Sequence, residues 1–382
     1  MSIESGSVTL RRLFIRGKLK ASSDPMWITS LKKNGFVDKN LKPEEENKGW
    51  AVSENELHTD FDLTNAIFGK YIVFSLRKDT KRIPRTMLTL KLKERIRERM
   101  KEMGTETLPQ KQKAELKAEV IEELNRNTPA TIQIVQVIVD PSRKEVYVSS
   151  TSDKLVGEFE GLFEKSFEVK LEQAHPKACA NKLLDKETFE KVLDKPGYET
   201  VENLEVHPDF ENSQEEKLGA GFLTWLFYIL QAKEGKWTGA NTGEFVIGIN
   251  EFLLFEGEAL GTKQTLLKQG PVANSAELAT VLRIGKQLSK VQLTMTREDG
   301  THDNEIWIFY INKAFFDLSS LKVPRYSEGN AATRILGRFN YIIESFQILD
   351  DLFLYYLELR FSNQWNKTLK DMRDWILGLQ QG

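Results

Sequence analysis

The sequence predicts an α+β fold, with mixed or antiparallel sheets, a long helical hairpin and a helical C-terminus in an extended, horseshoe-like subunit. Three observations carry the class. Compact β-branched and aromatic runs, "KYIVFSLRK" at 70–78 and "TIQIVQVIVD" at 131–140, read as buried strands. Helical patterns sit between such runs without the regular alternation of βαβ units, which disfavours a doubly wound sheet. The closing stretch "GRFNYIIESFQILDDLFLYYLELRFSNQW" is aromatic, amphipathic and reads as helical throughout.

Taken in order, "SVTLRRLFIRGKL" at 7–19 is a strand by residue type, and "DPMWITSLKKNGF" is a short helix closed near Gly35. The polar segment "DKNLKPEEENKGWAVSENELH" reads as turns with Trp50 as its one anchor. "KEVYVSS" follows the strand at 131–140 across "PSR", a hairpin signal. "SDKLVGEFEGLFEKSF" returns to helical spacing, and "QEEKLGAGFLTWLFYILQA" reads as a largely buried helix. "GEFVIGINEFLLFEG" and "EALGTKQTLL" look like paired strands. "SAELATVLRIGKQLSK" opens a helix with Ser275 and Glu277, and "VQLTMTREDGTHDNEIWIFYI" is a hairpin around "EDG".

A chain of 382 residues suits two or three domains at roughly 150 residues each, or one large extended one. We divide it into an N-terminal α+β region at 1–170, with a basic helical hairpin at about 86–126, a second α+β region at 171–330, and a helical region at 331–382. Hydrophobic content of 40% and charged content of 29% suit a folded core. No secretory signal or membrane span is recognised, and the single cysteine, Cys179, fits a reducing cytoplasm.

A net charge of −2 is unlike that of a generic nucleic-acid binder, but its distribution is uneven. Residues 77–117 hold 14 Lys/Arg against 6 Asp/Glu, while the acidic insertion at about 183–216 holds 3 against 11. On a helical wheel, Leu92, Ile96, Met100 and Met103 of "KLKERIRERMKEMGTETLPQKQKAELKAEV" fall within about 80° of one another, the pattern of a buried stripe. Lys93, Arg97 and Lys101 flank one side of it, and Lys91, Arg95 and Arg99 the other. Glu94, Glu98 and Glu102 lie roughly opposite. Gly104 can cap this helix, Pro109 can open the next, and Leu116, Val120 and Leu124 face back. Pattern alone favours a solvated, salt-bridged surface. The basic excess also suits phosphate contact, because each neutralised phosphate releases counterions.

Chemical motifs are sparse. There is no Walker loop, dinucleotide fingerprint or HExxH motif, so no cofactor is implied. In a strand, His58, Asp60 and Asp62 would share a face able to chelate a metal, although a polar loop with a cap residue fits better. His175 and Cys179 are too few for a structural zinc site. Asp350 and Asp351 diverge by about 100° on a helix, a poor carboxylate pair.

"GW" at 49–50 and "YIVFSLRKDTKRIP", leading into a charged helical hairpin ending "KAELKAEV", resemble the recombination-associated RdgC family. "VIVDPSRKEVYVSSTSDK", "GEFVIGINEFLLFEGEALGTKQTLLKQ" and "AELATVLRIGKQLSKVQLTM" are similar to that family's later segments, in order. The resemblance implies a ring-shaped homodimer of horseshoe subunits that encircles double-stranded DNA without sequence preference. It further implies a cytoplasmic, nucleoid-associated protein that restrains RecA-dependent recombination and is not an enzyme. The residues it would turn toward DNA are Arg77, Lys78, Arg85, Lys91, Lys93, Arg95, Arg97, Arg99, Lys101, Lys111, Lys113, Lys286 and Lys290. Two features depart from the family: Thr128 stands where an aromatic helps close the ring, and the acidic insertion and the Phe222–Tyr228 helix lengthen the chain. Two other readings stay open, a protein-interaction module built on the hairpin and a metal-dependent nuclease.

Overall fold

The computed structural model describes residues 3–193, 214–232, 234–240, 242–257, 262–268, 275–297 and 305–379. The fold is α+β, with antiparallel strand pairing, and it divides into two compact units. One, the hairpin unit, comprises Lys20–Ile138 and Gly161–Glu168; the other, the sheet unit, comprises Met1–Leu19, Val139–Glu160 and Val169–Gly382.

In the hairpin unit, the helix α1 (Met26–Lys33) ends at Asn34, one residue short of Gly35. The strand β4 (Tyr71–Thr80) is buried along its whole length, as its apolar run predicts. Its partner β2 (Glu46–Ala51) lies inside the segment read from sequence as turns, and that expectation is corrected. "ENKGWA" has no alternation and few β-formers, so the strand follows from backbone pairing with β4 rather than from its own propensity. Gly49 lets the chain at 34–36 dock against β2: a Cβ there would sit 2.5 Å from the Phe36 backbone. Trp50 then anchors the unit. Its ring meets Phe74 edge-on at 5.0 Å, and its Nε1 donates to Ser166 Oγ at 2.8 Å. A two-residue strand, β3 (Ile67–Phe68), turns back onto β4 after a single helical turn, α2 (Leu63–Ala66). The helices α3 (Arg85–Met103) and α4 (Gln110–Asn127) follow β4, and β5 (Thr131–Asp140) leads out of the unit.

In the sheet unit, strands run in the order β10 (Gln264–Lys268), β9 (Gly243–Glu256), β11 (Gln287–Arg297), β12 (Glu305–Asn312), β13 (Leu318–Lys322), β1 (Val8–Arg16) and β6 (Glu145–Val148). Short strands β7 (Lys170–Gln173) and β8 (Lys236–Gly239) pair with β1 and β9. The expected pairing of 243–257 with the following strand and the hairpin flanking "EDG" both form; residues 298–304 themselves lie outside the described residues. So do residues 194–213, most of the acidic insertion. The helix α5 (Asp153–Phe167) starts in this unit, and α6 (Pro176–Leu183), α7 (Lys186–Leu193) and α9 (Ala276–Arg283) are short. Ser275 caps α9, accepting from the Leu278 N–H, as its position suggests.

The long buried helix α8 (Gln214–Ala232) supplies Phe222, whose ring lies 5.1–5.7 Å from those of Phe316, Phe353 and Tyr356. The last two belong to α10 (Ala331–Phe361). The expected uninterrupted C-terminal helix breaks here. Ser362 caps α10, its hydroxyl accepts from the Gln364 N–H, and α11 (Trp365–Gly378) starts anew. A short polar side chain that bonds the local backbone competes with helix continuation. Among the described residues, no helix is long and apolar enough to cross a membrane.

Candidate nucleic-acid interface

The hairpin begins where Pro84 ends the extended chain after β4 and leaves the first helical N–H groups of α3 without a side-chain cap. Gly104 closes α3 in the left-handed region at φ 63°, and Thr105 N–H reaches back to Met100 O at 3.0 Å. Leu108 is buried before Pro109, which opens α4. Leu116, Val120 and Leu124 of α4 are buried, each worth about 2 kcal/mol in transfer terms.

The facing stripe on α3 is shallower than its spacing predicts. Leu92, Ile96 and Met100 are half-buried, and Met103 is 48% exposed. Two helices alone cover only the narrow line where they meet. Where they diverge near the tip, Arg99, Met103, Gln112, Glu115, Leu116 and Glu119 line a cleft of about 250 Å³.

The two basic flanks differ in what holds them. Lys91 and Arg95 both bond Glu123 of α4, Arg95 at 3.3 Å. Arg95 also meets Glu98 at 3.4 Å, and Arg99 meets Glu102 at 3.5 Å. Hydrogen bonds from Lys91 and Arg95 hold the Glu123 carboxyl below its ordinary value, and the Glu123 bond raises Arg95 in turn. This flank is self-neutralised. On the other flank, Lys93, Arg97 and Lys101 are exposed and carry no ion pair among the described residues. Four-residue spacing sets successive cations about 6 Å apart along the axis, so three of them offer a row about 12 Å long. Exposed Arg85 and Lys111, and half-buried Lys113, likewise have no ion pair among the described residues.

Three other candidates lie inside the protein. Arg77 is 6% exposed; it bonds both Asp79 oxygens at 2.9 and 2.7 Å and stacks on Phe36 at 4.1 Å. Lys78 is 2% exposed and pairs with Glu46 at 2.8 Å. Lys286, in the sheet unit, is 1% exposed; its Nζ donates to Thr262 O, Thr262 Oγ1 and Thr265 Oγ1, and burial lowers its pKa. These are structural charges, withdrawn from a phosphate by their own partners. Lys290 also belongs to the sheet unit, and it is half-buried, with Nζ 5.2 Å from the Tyr310 ring.

The weaker motifs resolve into caps and ion pairs. "HTDFD" is not a strand, so His58, Asp60 and Asp62 do not gain the common face a strand would give. Asp62 instead caps α2, accepting from Thr64 N and Asn65 N at 2.7 and 3.0 Å. His175 caps α6 through Nδ1. Asp350 and Asp351 separate as expected, one onto Arg12 at 2.7 Å and the other onto Thr242 Oγ1 at 2.8 Å.

A buried charge cluster in the sheet unit has no local sequence signal, because its members come from distant positions. Glu145 is fully buried and bonds Lys182, Arg143 at 2.8 Å and Tyr147 OH at 2.5 Å, with Arg12 at 3.5 Å. Burial pushes its carboxyl up, but the charges of Arg12, Lys182 and Arg143 win and hold it down at about 2. Beside it, burial pushes the Cys179 thiol up to about 12, leaving it unreactive at neutral pH.

Residues 27–184 match the family model described as "Putative exonuclease, RdgC". The match covers the hairpin, both strands around it and "VIVDPSRKEVYVSSTSDK", but not the two segments after residue 242 on which the sequence resemblance also drew. Comparison with curated proteins gave no match.

Proposed function

We propose that the chain is a divergent member of the RdgC family, whose model matches residues 27–184, and that it binds double-stranded DNA without sequence preference through the α3–α4 hairpin. The row Lys93, Arg97 and Lys101 carries the reading: three exposed cations at helical repeat, unpaired within the described structure, beside an equal row that is already neutralised. Such a row meets phosphates and offers no base code. In the family's manner the binding unit is a homodimer, a ring of horseshoe subunits around the duplex, and the outcome is restraint of RecA-dependent recombination in the nucleoid. On this reading the hairpin holds duplex without cleaving it.

Fluorescence anisotropy on unrelated duplexes tests this. Equal affinities are expected, with a log–log salt slope near −5 if about six phosphates are engaged. Replacing Lys93, Arg97 and Lys101 together by Ala should shrink that slope by roughly 2–3. Replacing Lys91, Arg95 and Arg99 should change it far less. Equal effects of the two triple variants would contradict the proposal. Undiminished DNA binding by both would shift weight to a protein-interaction role for the hairpin. Linear duplex incubated with Mg²⁺ or Mn²⁺ should stay intact, and its degradation would revive the nuclease reading.

A further inference from the structure

The sheet unit presents a second surface whose chemistry differs from the hairpin's. Along β9, β11 and β12, Leu253, Phe255, Val291, Leu293, Trp307 and Phe309 share one face and are at most 1% exposed. The alternating residues Phe252, Leu254, Lys290, Gln292, Ile308 and Tyr310 face the other way and are half-buried. Register fixes their neighbours: Lys268 stands opposite Phe252, Lys290 opposite Asn312, Gln292 opposite Tyr310, and Lys322 opposite Ile308. One face of a five-stranded sheet thus carries Phe252 and Tyr310 near its middle, with lysines distributed from β10 to β13. At about 4.8 Å per strand that width is roughly 19 Å.

The two rings lean together across β11, edge to face at 5.0 Å. Lys268 Nζ lies 5.5 Å from the Phe252 centroid, and Lys290 Nζ lies 5.2 Å from that of Tyr310. Neither lysine has an ion pair among the described residues. The nearby carboxylate of Glu256 is held by Lys313 at 3.1 Å. An ammonium resting on an aromatic face gains about 0.5–1 kcal/mol at an exposed site, little enough to be given up for a phosphate. Moving the ammonium aside uncovers the ring.

We propose that this open sheet face binds an unpaired nucleic-acid strand, with Phe252 and Tyr310 stacking bases and Lys268, Lys290 and Lys322 meeting the backbone. Rings that can stack, flanked by lysines that no described carboxylate pairs, match a ligand of flat bases on an anionic chain. Each half of the match excludes something. An acidic protein would use the lysines but leave the rings idle, and an apolar partner would strand the lysines. Duplex DNA hides its base faces, so the rings favour the single strand. This site is separate in residues from the hairpin row and does not depend on it.

The test is anisotropy of the full-length protein with a labelled oligothymidylate of about 20 nucleotides, alongside a duplex of the same length. Replacing Phe252 or Tyr310 by Leu should each weaken oligothymidylate binding about tenfold, at the lower end of the range for a stacked base. Tyr310→Phe should retain it, because the ring face remains. Duplex affinity should hold in all three variants, and the Lys93/Arg97/Lys101 variant should show the reverse pattern. Thermal melting of each variant separates lost contacts from lost folding. Unchanged oligothymidylate binding in both Leu variants overturns the proposal. So does parallel loss of duplex binding, and so does sedimentation showing that the Leu variants break a dimer, which would make the face a contact between two copies.

Discussion

Two basic residues twenty positions apart, Arg77 and Arg97, look alike in sequence and do different work. The first is clamped between Asp79 and Phe36, while the second stands free in solvent. Burial separates them, and burial is a property of the neighbours. Glu145 shows how much a charge owes to that setting. Its carboxyl is held at about 2 against an ordinary value of 4.5, so its interactions stabilise the fold fully above about pH 4.5. They are lost as pH falls from there toward 2, when the folded state must accept a proton it resists. At about 1.4 kcal/mol per pH unit the loss is on the order of 3 kcal/mol. Urea denaturation at pH 7, 5 and 3 should show this decline in the wild type. Glu145→Gln should be less stable at pH 7, because Lys182 and Arg143 lose the carboxylate they bond, and should decline less between pH 5 and pH 3. An equal decline in both proteins would mean that other carboxylates govern the acid response.

At the scale of elements, legibility followed self-sufficiency. β4, α5, α8 and the α3–α4 hairpin carry their own apolar runs or periodicity, and sequence predicts them. β2 does not: "ENKGWA" is a strand only because β4 offers it a ladder, and nothing within those six residues says so. The break between α10 and α11 was hidden for a related reason, since the aromatic pattern continues through a short polar cap. In the interface, helical spacing revealed two basic flanks but not which was neutralised. Glu123, the residue that decides it, sits on the other helix, 28 and 32 positions from its partners. The "GW" pair is now explained physically. Gly49 is required by the approach of the Phe36 backbone, and Trp50 fixes the strand to Ser166. Gly49→Ala should therefore destabilise the protein by about 3 kcal/mol, the upper end of ordinary overpacking costs. Gly104→Ala, at a position with open space and φ 63°, should cost only about 1 kcal/mol from backbone strain. Chemical denaturation of the two variants ranks them, and the reverse order would refute the steric account.

For the whole molecule, the net charge of −2 conceals two opposed populations, and only one of them can welcome DNA. On the proposed reading, the hairpin row attracts phosphate at contact range. The acidic run, including Glu199, Glu202, Glu205 and Asp209, lies outside the described residues, and by its charge alone it should oppose the approach of a polyanion through the field of the whole chain. Such repulsion acts over a Debye length, about 10 Å at 0.1 M salt and about 30 Å at 0.01 M, so it must fade as salt rises. Replacing those four residues by Gln or Asn should therefore raise duplex association rates several-fold at 0.01–0.05 M salt and leave them almost unchanged at 0.3 M. Dissociation rates should hardly move, because contacts to phosphate are untouched. Stopped-flow measurements across salt concentrations distinguish this from a direct role. A change that persisted at 0.3 M, or that appeared in dissociation, would mean the acidic run touches the hairpin cations or the DNA itself. The charge polarity would then be a competition for one site rather than a distant field.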